Sequence, residues 1–387
     1  MRLRQLIPFG LVLGLTTPAF ATVDLVDGSG LTYYINDDVT YSSSSASGAA
    51  SEASYTQAVP TTTTSGATTS STLGDAFDGY NGVIIDGTTY TNNGDATLEC
   101  KGRDVVLNPQ TIGDLTVSRR VYVPDNDAFA RWITFVTNNG TKDATVTMEV
   151  VNNLGSDGST EILGSESGDT KGDTTDHWVA TGGDYDDPRL AHVLGNRDGA
   201  ISANVVTFTD GDDNPEWSYE FTVGAGETRA IMNLVSGVPT NPEAVAKAAE
   251  LVALPPNVFQ CMTQEQWDQI ANFGVDCTAV YDACNMGNYS VATGMCEPMA
   301  ANEGGMCDDG DKCTVNDVCD AGVCAGTKDP DICDPDEKKK PDPTEEPEPE
   351  PEPIDSETGC GCSSASPAGA GLGALLLLGL VSTRRRH

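Results

Sequence analysis

Basic residues are scarce in this sequence. Its 387 residues include 21 lysines and arginines against 58 aspartates and glutamates, a formal net charge of −37 at pH 7. A polyanion of this size repels the phosphate backbone of nucleic acids and the anionic face of a membrane. The composition therefore argues against nucleic acid as a partner and against a membrane contact made through charge.

Histidine is almost as rare, with three residues in the chain, one of them the last. The other two, His177 and His192, each adjoin apolar sequence of strand type ("HWVA" and "AHVL"), which favours a structural role. The stretch "LGSESG" approaches the Gly-x-Ser-x-Gly frame of a nucleophile elbow, but Glu166 stands where the serine would be. We therefore assign no catalytic residue, and the protein is predicted not to be an enzyme.

A long apolar run is missing too. The C-terminal run from Pro367 to Val381 would form a helix of about 22 Å, which is short of a bilayer core of about 30 Å. At the other end, Arg2 and Arg4 precede an apolar stretch that ends in the small-x-small pattern of Ala19 and Ala21. Residues 1–21 are therefore predicted to be a secretory signal peptide cleaved after Ala21.

Strand patterns dominate the chain after the signal peptide. "LTYYIN", "DLTVSRRVYVP", "FARWITFVTNN", "ATVTMEVV" and "TRAIMNLV" are short, alternating and rich in β-branched and aromatic residues, and Asp86-Gly87 is a strong hairpin signal. Within "FARWITFVTNN", Arg131, Ile133 and Phe135 share one face of the predicted strand. Within "ATVTMEVV", Val146 and Val150 share one face of the next strand. The predicted fold is mainly β, a large antiparallel β-sandwich over residues 22–240.

One segment inside the sandwich region lacks apolar residues. Residues 42–72 are largely Ser, Thr, Gly and Ala, so we predict a flexible insertion there, with glycosylation as an open alternative. Helices are predicted only afterwards, in a connector over residues 241–275. Its signals are Asn241 as an N-cap with Pro242 at the first helical position, and a capping box of Thr263 with Gln266.

Cysteine is nearly absent from the first 260 residues, where Cys100 stands alone, and concentrated after them. In an exported chain twelve cysteines predict disulfides rather than thiols, and parity suggests a bridge from Cys100 into the cluster. Zinc is rejected because no histidine lies near the cysteines. The ten predicted disulfide cysteines are Cys100, Cys261, Cys277, Cys284, Cys296, Cys307, Cys313, Cys319, Cys324 and Cys333. Most of them fall in a predicted cysteine-rich module, residues 276–333.

Acidic clusters offer the remaining candidates for a ligand. "GDYDDPR" (183–189), "TDGDDNPE" (209–216) and "CDDGDKC" (307–313) are rich in carboxylates, which suits Ca²⁺, but none has the spacing of a helix–loop–helix calcium site. Asp residues in turns explain them as well. We expect no cofactor, with weakly bound Ca²⁺ as the alternative.

The C-terminal part resembles known bacterial sequences. "CDDGDKCTVNDVCDAGVCAGTKDPDIC" resembles a cysteine repeat of exported myxobacterial proteins, which implies a disulfide-stapled spacer. Residues 334–359 are a Pro/Glu-rich spacer of extended type. Residues 360–387 combine Cys360 and Cys362, each preceded by Gly, with a short apolar helix and a basic cluster of Arg384, Arg385 and Arg386. That combination resembles the myxobacterial C-terminal sorting signal (MYXO-CTERM).

The second resemblance implies a location. A membrane protease would cut near the cysteines and leave the protein exported, at the cell surface and anchored to the outer membrane, with Cys360 or Cys362 modified. The sandwich region also resembles uncharacterised β-rich domains of exported bacterial proteins, which implies no activity.

Two functions stay open at this point. The first is a non-catalytic surface protein whose sandwich binds an extracellular polysaccharide or protein, or is structural. In that case exposed aromatic side chains would stack on a sugar, and we name Trp132, Trp178, Trp217 and Tyr185 as candidates, with packing into the core as the commoner fate of strand aromatics. The second is an extracellular carbohydrate-active enzyme built on the sandwich.

Overall fold

The computed structural model describes residues 22–37, 48–62, 68–91 and 96–333. The predicted signal peptide, spacer and sorting signal, with Ala21, Cys360, Cys362 and Arg384 to Arg386, lie outside these residues. The chain divides into two units, residues 1–329 and 330–387. No helix within the described ranges is long and apolar enough to cross a membrane.

Twenty-two strands and three α-helices make up the described chain. The first strands are β1 (Thr22–Val26), β2 (Leu31–Asn36), β3 (Ala50–Tyr55), β4 (Val59–Thr62), β5 (Thr68–Ser71), β6 (Phe77–Ile85), β7 (Thr88–Thr89), β8 (Thr97–Glu99), β9 (Asp104–Ile112), β10 (Leu115–Tyr122) and β11 (Ala130–Asn138). The rest are β12 (Ala144–Leu154), β13 (Glu161–Ser165), β14 (Trp178–Gly182), β15 (Arg189–Val193), β16 (Val205–Thr209), β17 (Asp212–Val223), β18 (Thr228–Val238), β19 (Asn285–Ser290), β20 (Met295–Ala300), β21 (Thr314–Asp320) and β22 (Val323–Lys328). The helices are α1 (Asn241–Val252), α2 (Gln264–Gln269) and the single turn α3 (Pro330–Cys333).

Two eight-stranded antiparallel sheets form the sandwich, as predicted. The first sheet runs β1-β2-β3-β6-β12-β17-β16, with β7 paired to β6, and the second runs β13-β14-β15-β18-β11-β10-β9-β8. Val146, Met148 and Val150 of β12 point into the space between the sheets, where they meet Trp132 and Val136 of β11. Alternation along each strand therefore supplies the main hydrophobic core.

Two turns that the sequence predicts are present in the structure. β11 and β12 were predicted as two strands joined by the turn "NNGTKD", and they are, but they belong to different sheets. Buried Asn138 holds this turn, because its side-chain amide donates to the carbonyls of Lys142 (2.7 Å) and Val223 (2.9 Å). The predicted hairpin at Asp86-Gly87 is also present, and both residues have positive φ (47° and 74°), as a tight two-residue hairpin turn requires.

A helical layer covers the outer face of the second sheet. Ala244, Ala248 and Leu251 lie on one side of α1 and join the sheet residues Ile133 and Met232 in a second buried cluster. Buried Arg131 lies in the same layer and donates to the carbonyl of Gln260 at 2.9 Å. Burial lowers the pKa of this guanidinium to about 10.

Two local expectations need correction. Residues 50–55, 59–62 and 68–71 form strands inside the segment that was predicted to be a flexible insertion, and Ala50, Ala53 and Tyr55 are buried. Small side chains fit there because β3 packs directly against the core, so low apolar content did not prevent strand formation. Helix α1 begins at Asn241 with Thr240 as its N-cap, one residue before the predicted start. The capping box of Thr263 with Gln266 is confirmed.

Candidate functional site: a cleft beside the cysteine-rich module

Three of the four aromatic candidates are buried. Trp132 and Trp217 are each 1% exposed and Trp178 is 8% exposed, whereas Tyr185 is 81% exposed. The tryptophans lie on sheet faces that meet the inter-sheet core or the helical layer, so they stabilise the fold and cannot stack on a sugar. For the three tryptophans the alternative of core packing therefore holds, and they are not ligand contacts.

His192 has the structural role that the sequence indicated. It is fully buried between the sheets, where its Nδ1 lies 2.9 Å from Tyr80 Oη and its Nε2 lies 2.9 Å from Thr181 Oγ1. Burial lowers its pKa to about 3, so the ring stays neutral.

His177 is different, because the fold places it beside Glu166. Glu166 follows β13 in a tight turn, and its Oε2 accepts hydrogen bonds from the backbone amide (2.9 Å) and the ring Nδ1 (2.6 Å) of His177. Arg197 Nε donates to the other carboxylate oxygen at 2.9 Å. Burial opposes ionisation of Glu166, but the hydrogen bonds from His177 and then Arg197 outweigh it and hold the pKa of this carboxyl below its usual range.

A cavity of about 240 Å³ opens at this cluster. Its polar lining includes Glu166, Asn196, Arg197 and Asp198, and its apolar lining comes from the end of α1 (Val252–Leu254) and from Gly274 and Val275. His177 does not line it. His177 therefore contacts Glu166 outside the cavity and fixes the orientation of its carboxylate at the cavity wall.

A second cavity of about 390 Å³ adjoins the first, since Gly274 and Val275 line both. We call the two cavities together the junction cleft, and the second cavity its aromatic end. Trp267, Phe273, Tyr289 and Met299 line the aromatic end, with Asp268 and Asn288 among the polar groups. The volume lies within the range of small-molecule sites, about 300–1,000 Å³.

Helix α2 positions the aromatic end. Gln264 acts as a clamp: its Nε2 donates to the carbonyl of Tyr289 (2.9 Å) and its Oε1 accepts from the amide of Val291 (2.9 Å). Trp267 and Tyr289 have ring centroids 5.8 Å apart, and Phe259 contacts both. This contact joins the helical layer to strand β19 of the cysteine-rich module.

Disulfides hold the surroundings of the cleft. Cys100–Cys261 joins the second sheet to the segment before α2, and Cys277–Cys296, Cys284–Cys319 and Cys307–Cys324 lie within the module. Cys313 and Cys333 are disulfide-bonded as well. Cys277 lines the aromatic end, so its bridge to Cys296 fixes one wall of the cleft.

The three acidic stretches predicted as candidate Ca²⁺ ligands do not line the junction cleft. The carboxylates of Asp308, Asp309 and Asp317 lie within 4.8 Å of one another, but each accepts hydrogen bonds from its own loop, for example from Gly310, Asp311 and Asp309 amides respectively. In "GDYDDPR", Asp187 Oδ2 accepts from the Asp184 amide at 2.9 Å. Turn formation accounts for these contacts.

Sequence reasoning missed the junction cleft. The residues that line it are spread over more than a hundred positions of the sequence. Its aromatic residues lie in the predicted connector and cysteine-rich module rather than in the sandwich. The one sequence signal was Trp267 directly after a capping box, in a segment otherwise interpreted as a linker.

The lining of the cleft combines aromatic rings with amide, carboxylate and guanidinium groups. Aromatic rings provide apolar faces for sugar rings or aliphatic chains, and the polar groups provide donors and acceptors for hydroxyls. Such a set suits a neutral polyhydroxylated ligand.

Comparisons with known proteins give no family. No protein-family model matches the sequence, and no curated protein matches it.

Similar solved structures share only distant likeness. A protein named as a kojibiose phosphorylase from the human microbiome has a TM-score of 0.39 and 12% identity over 60% of this chain and 33% of its own. Heparan sulfate lyase HepC from Pedobacter heparinus has a TM-score of 0.34 and 14% identity over 55% and 33%. A galactose mutarotase-like protein from Lactobacillus casei has a TM-score of 0.33 and 8% identity over 56% and 100%. This chain spans about a third of the first two proteins, and scores this low transfer no activity.

Proposed function

We propose that the protein is an exported cell-surface protein whose junction cleft binds a neutral carbohydrate without cleaving it. The signal peptide and the C-terminal sorting motif at Cys360 and Cys362 support the location, through a membrane sorting protease and an outer-membrane anchor. The observation that carries the binding role is the aromatic end of the cleft. There half-buried Tyr289 is the accessible ring and shares the lining with polar Asp268 and Asn288, while buried Trp267 (7% exposed) packs against Tyr289 and holds it in place.

The overall charge restricts the class of carbohydrate. With a net charge of −37, the protein repels polyanionic glycans over the distances at which electrostatics steers encounter. A neutral glycan is not repelled in this way, and its hydroxyls can hydrogen-bond to the amide of Asn196 and the carboxylates of Glu166 and Asp198 in the first cavity. Neutral polysaccharides are therefore the expected ligands.

The test uses the full-length chain and a panel of neutral and uronic-acid polysaccharides in affinity electrophoresis. We expect retention by at least one neutral polysaccharide. Tyr289→Leu should weaken it about tenfold, equivalent to about 1.4 kcal/mol. The matched control is Tyr281→Leu, because Tyr281 is 55% exposed on the same module and does not line the cleft. Retention only by the uronic-acid polymers, or equal losses in the two variants, would contradict the proposal.

A second candidate function follows from the pair of Glu166 and His177. Glu166 lines the cleft, and His177 and Arg197 hold it in position as a carboxylate. A positioned carboxylate that faces a cavity is a candidate general base, and it would support a carbohydrate-active enzyme. Release of reducing ends from the same panel measures this activity. If it occurs and is lost in both Glu166→Gln and His177→Asn, the enzyme is the better description; we expect no release.

A further inference from the structure

A buried lysine on α1 meets a carboxylate and an amide that come from two other segments. Lys247 is 9% exposed and is the only buried lysine among the described residues. Its Nζ donates to Asp127 Oδ1 at 2.6 Å, and Asn257 Nδ2 donates to the other oxygen of the same carboxylate at 3.0 Å. One carboxylate thus bridges the amine of the lysine and the side-chain amide of the asparagine.

The backbone around Asp127 fixes this carboxylate in place. Asp127 lies in the loop between β10 and β11, where its carbonyl accepts from the amide of Gly28 at 2.8 Å and its Oδ1 also accepts from the amide of Ala128 at 2.8 Å. Burial opposes ionisation of Asp127, but the hydrogen bonds from Lys247 and then Asn257 outweigh it and hold its pKa below the usual range. An ionised proton acceptor therefore stands between the amine and the amide.

A fourth side chain contacts the oxygen of the amide. Gln260 Nε2 donates to Asn257 Oδ1 at 2.8 Å, and Tyr122 Oη of β10 donates to Gln260 Oε1 at 2.9 Å, which orients the Gln260 amide. A donor on a carbonyl oxygen stabilises the negative charge that develops there when a nucleophile adds to the carbon. An amine, a proton acceptor and an oxyanion donor are thus arranged around one carboxamide.

We propose that Lys247 and Asn257 form an intramolecular isopeptide bond, with Asp127 as the proton carrier. Asp127 takes a proton from the Lys247 ammonium, and the neutral Nζ attacks Asn257 Cγ while Gln260 stabilises the oxyanion. The Cγ–Nδ2 bond then breaks as Asp127 delivers its proton to the leaving nitrogen. Two protons of the former ammonium leave with that nitrogen, so the products are a secondary amide and an ammonium ion, and no oxidant or cofactor is needed.

The bond closes a loop that forms one wall of the junction cleft. Residues 252–254, which line the first cavity, lie between Lys247 and Asn257 in the sequence. A covalent link across this loop restricts the unfolded chain, as a disulfide does, and fixes the end of α1 beside the turn that precedes α2. The reacting side chains do not line the cleft, so the proposal is independent of carbohydrate binding.

Peptide mapping of the reduced, purified full-length protein tests the bond. A protease that cleaves after glutamate separates Lys247 from Asn257, because Glu250 lies between them, and it releases residues 244–250 and 251–265 as two peptides. We expect these peptides to remain joined, with a mass equal to their sum less one ammonia, about 17 Da. Trypsin should fail to cleave after Lys247, because the amine of that side chain is acylated.

Variants assign the roles of the three groups. Lys247→Arg keeps the positive charge and removes the nucleophilic amine, and Asp127→Asn keeps the shape and removes the proton acceptor, so each should abolish the joined peptide. The matched control is Glu250→Gln, because exposed Glu250 contacts Lys247 at 3.1 Å without bridging to the amide. This variant lacks one cleavage site, and its bond is detected as resistance of Lys247 to trypsin. Thermal melts check that all three variants are folded.

Three outcomes overturn the proposal. The first is recovery of two separate peptides after prolonged incubation of the folded protein at neutral pH. The second is a loss of ammonia that persists in Lys247→Arg, because Asn257 then cyclises on its own backbone without the lysine. The third is a joined peptide in Asp127→Asn, which would show that this carboxylate carries no proton in the reaction.

Discussion

The sandwich and the cysteine-rich module are held together by different forces. The sandwich has an extensive apolar core between its sheets and a second one under the helices, and a single disulfide, Cys100–Cys261, joins it to the connector. In residues 276–333 the only buried side chains are Cys277, Cys284 and Cys319. One region is stabilised by burial and the other by covalent links.

Size explains the difference. Burial of apolar surface contributes about 25 cal/mol per Å², so a region must enclose many side chains before burial offsets the loss of chain entropy. The module is too short to do so, and its disulfides instead restrict the unfolded chain. Its surface consequently exposes apolar residues, including Met295 (63%) and Met306 (90%).

Carboxyl groups buried in the sandwich without a cationic partner differ in pKa from those in the turns of the module. In the sandwich, burial and then neighbouring acids such as Asp75 raise the pKa values of Glu52 and Asp187 to about 7. In the module, turn hydrogen bonds from Thr278, Asn285 and Thr314 hold the pKa values of Asp276, Asp282 and Asp309 below the usual range. Burial penalises charge in the first region, and solvated turns favour it in the second.

The largest effect should come from emptying the sandwich core. Trp217→Ala is expected to lower the free energy of unfolding by about 3–5 kcal/mol, because it removes a fully buried ring and leaves a cavity. Chemical denaturation measures this change. The control is Tyr185→Ala, an exposed aromatic for which we expect less than about 0.5 kcal/mol; comparable losses in both would refute the role of burial.

Removing a bridge from the module should have the next largest effect. Cys284→Ser/Cys319→Ser eliminates a disulfide that closes a separation of 35 residues, and we expect local destabilisation of about 2–5 kcal/mol. Hydrogen exchange should show faster exchange in β19 to β22 and unchanged exchange in β12 and β17. Uniform acceleration in both regions would mean that they are not stabilised separately.

The smallest change is expected from pH, with opposite signs in the two regions. Raised pKa values mean that the folded sandwich binds more protons than the unfolded chain between about pH 4 and 7, so its stability falls as pH rises through that window. The module, with lowered pKa values, loses stability as pH falls below the ordinary range of Asp. Hydrogen exchange at pH 3, 5 and 8, corrected for intrinsic rates, follows each region.

Two variants assign these effects to particular groups. Asp187→Asn should flatten the decline in sandwich stability between about pH 4 and 7, and Asp282→Asn should affect only the loss of module stability at acid pH. If Asp187→Asn leaves the pH profile of the sandwich unchanged, this carboxyl does not titrate near neutrality.

Much of the fold could be predicted because its signals are local. Alternation in "ATVTMEVV", the Asp86-Gly87 turn and the Thr263 capping box each specify a structure within a few residues, and each is present. The strands at 50–55 were missed because their small residues become buried only through contact with distant strands. The tryptophans were misjudged because a strand pattern shows alternation and does not show that both faces of the second sheet are covered.

The sequence alone determined the β class, the strand faces, the helix caps and the excess of negative charge, since these depend on side-chain spacing and composition. Only the tertiary structure decided that Glu166 meets His177 and Arg197 and that Trp267 meets Tyr289 beside the junction cleft. Those contacts join residues far apart in the chain, and their positions follow from strand order and layer packing, which no local pattern encodes.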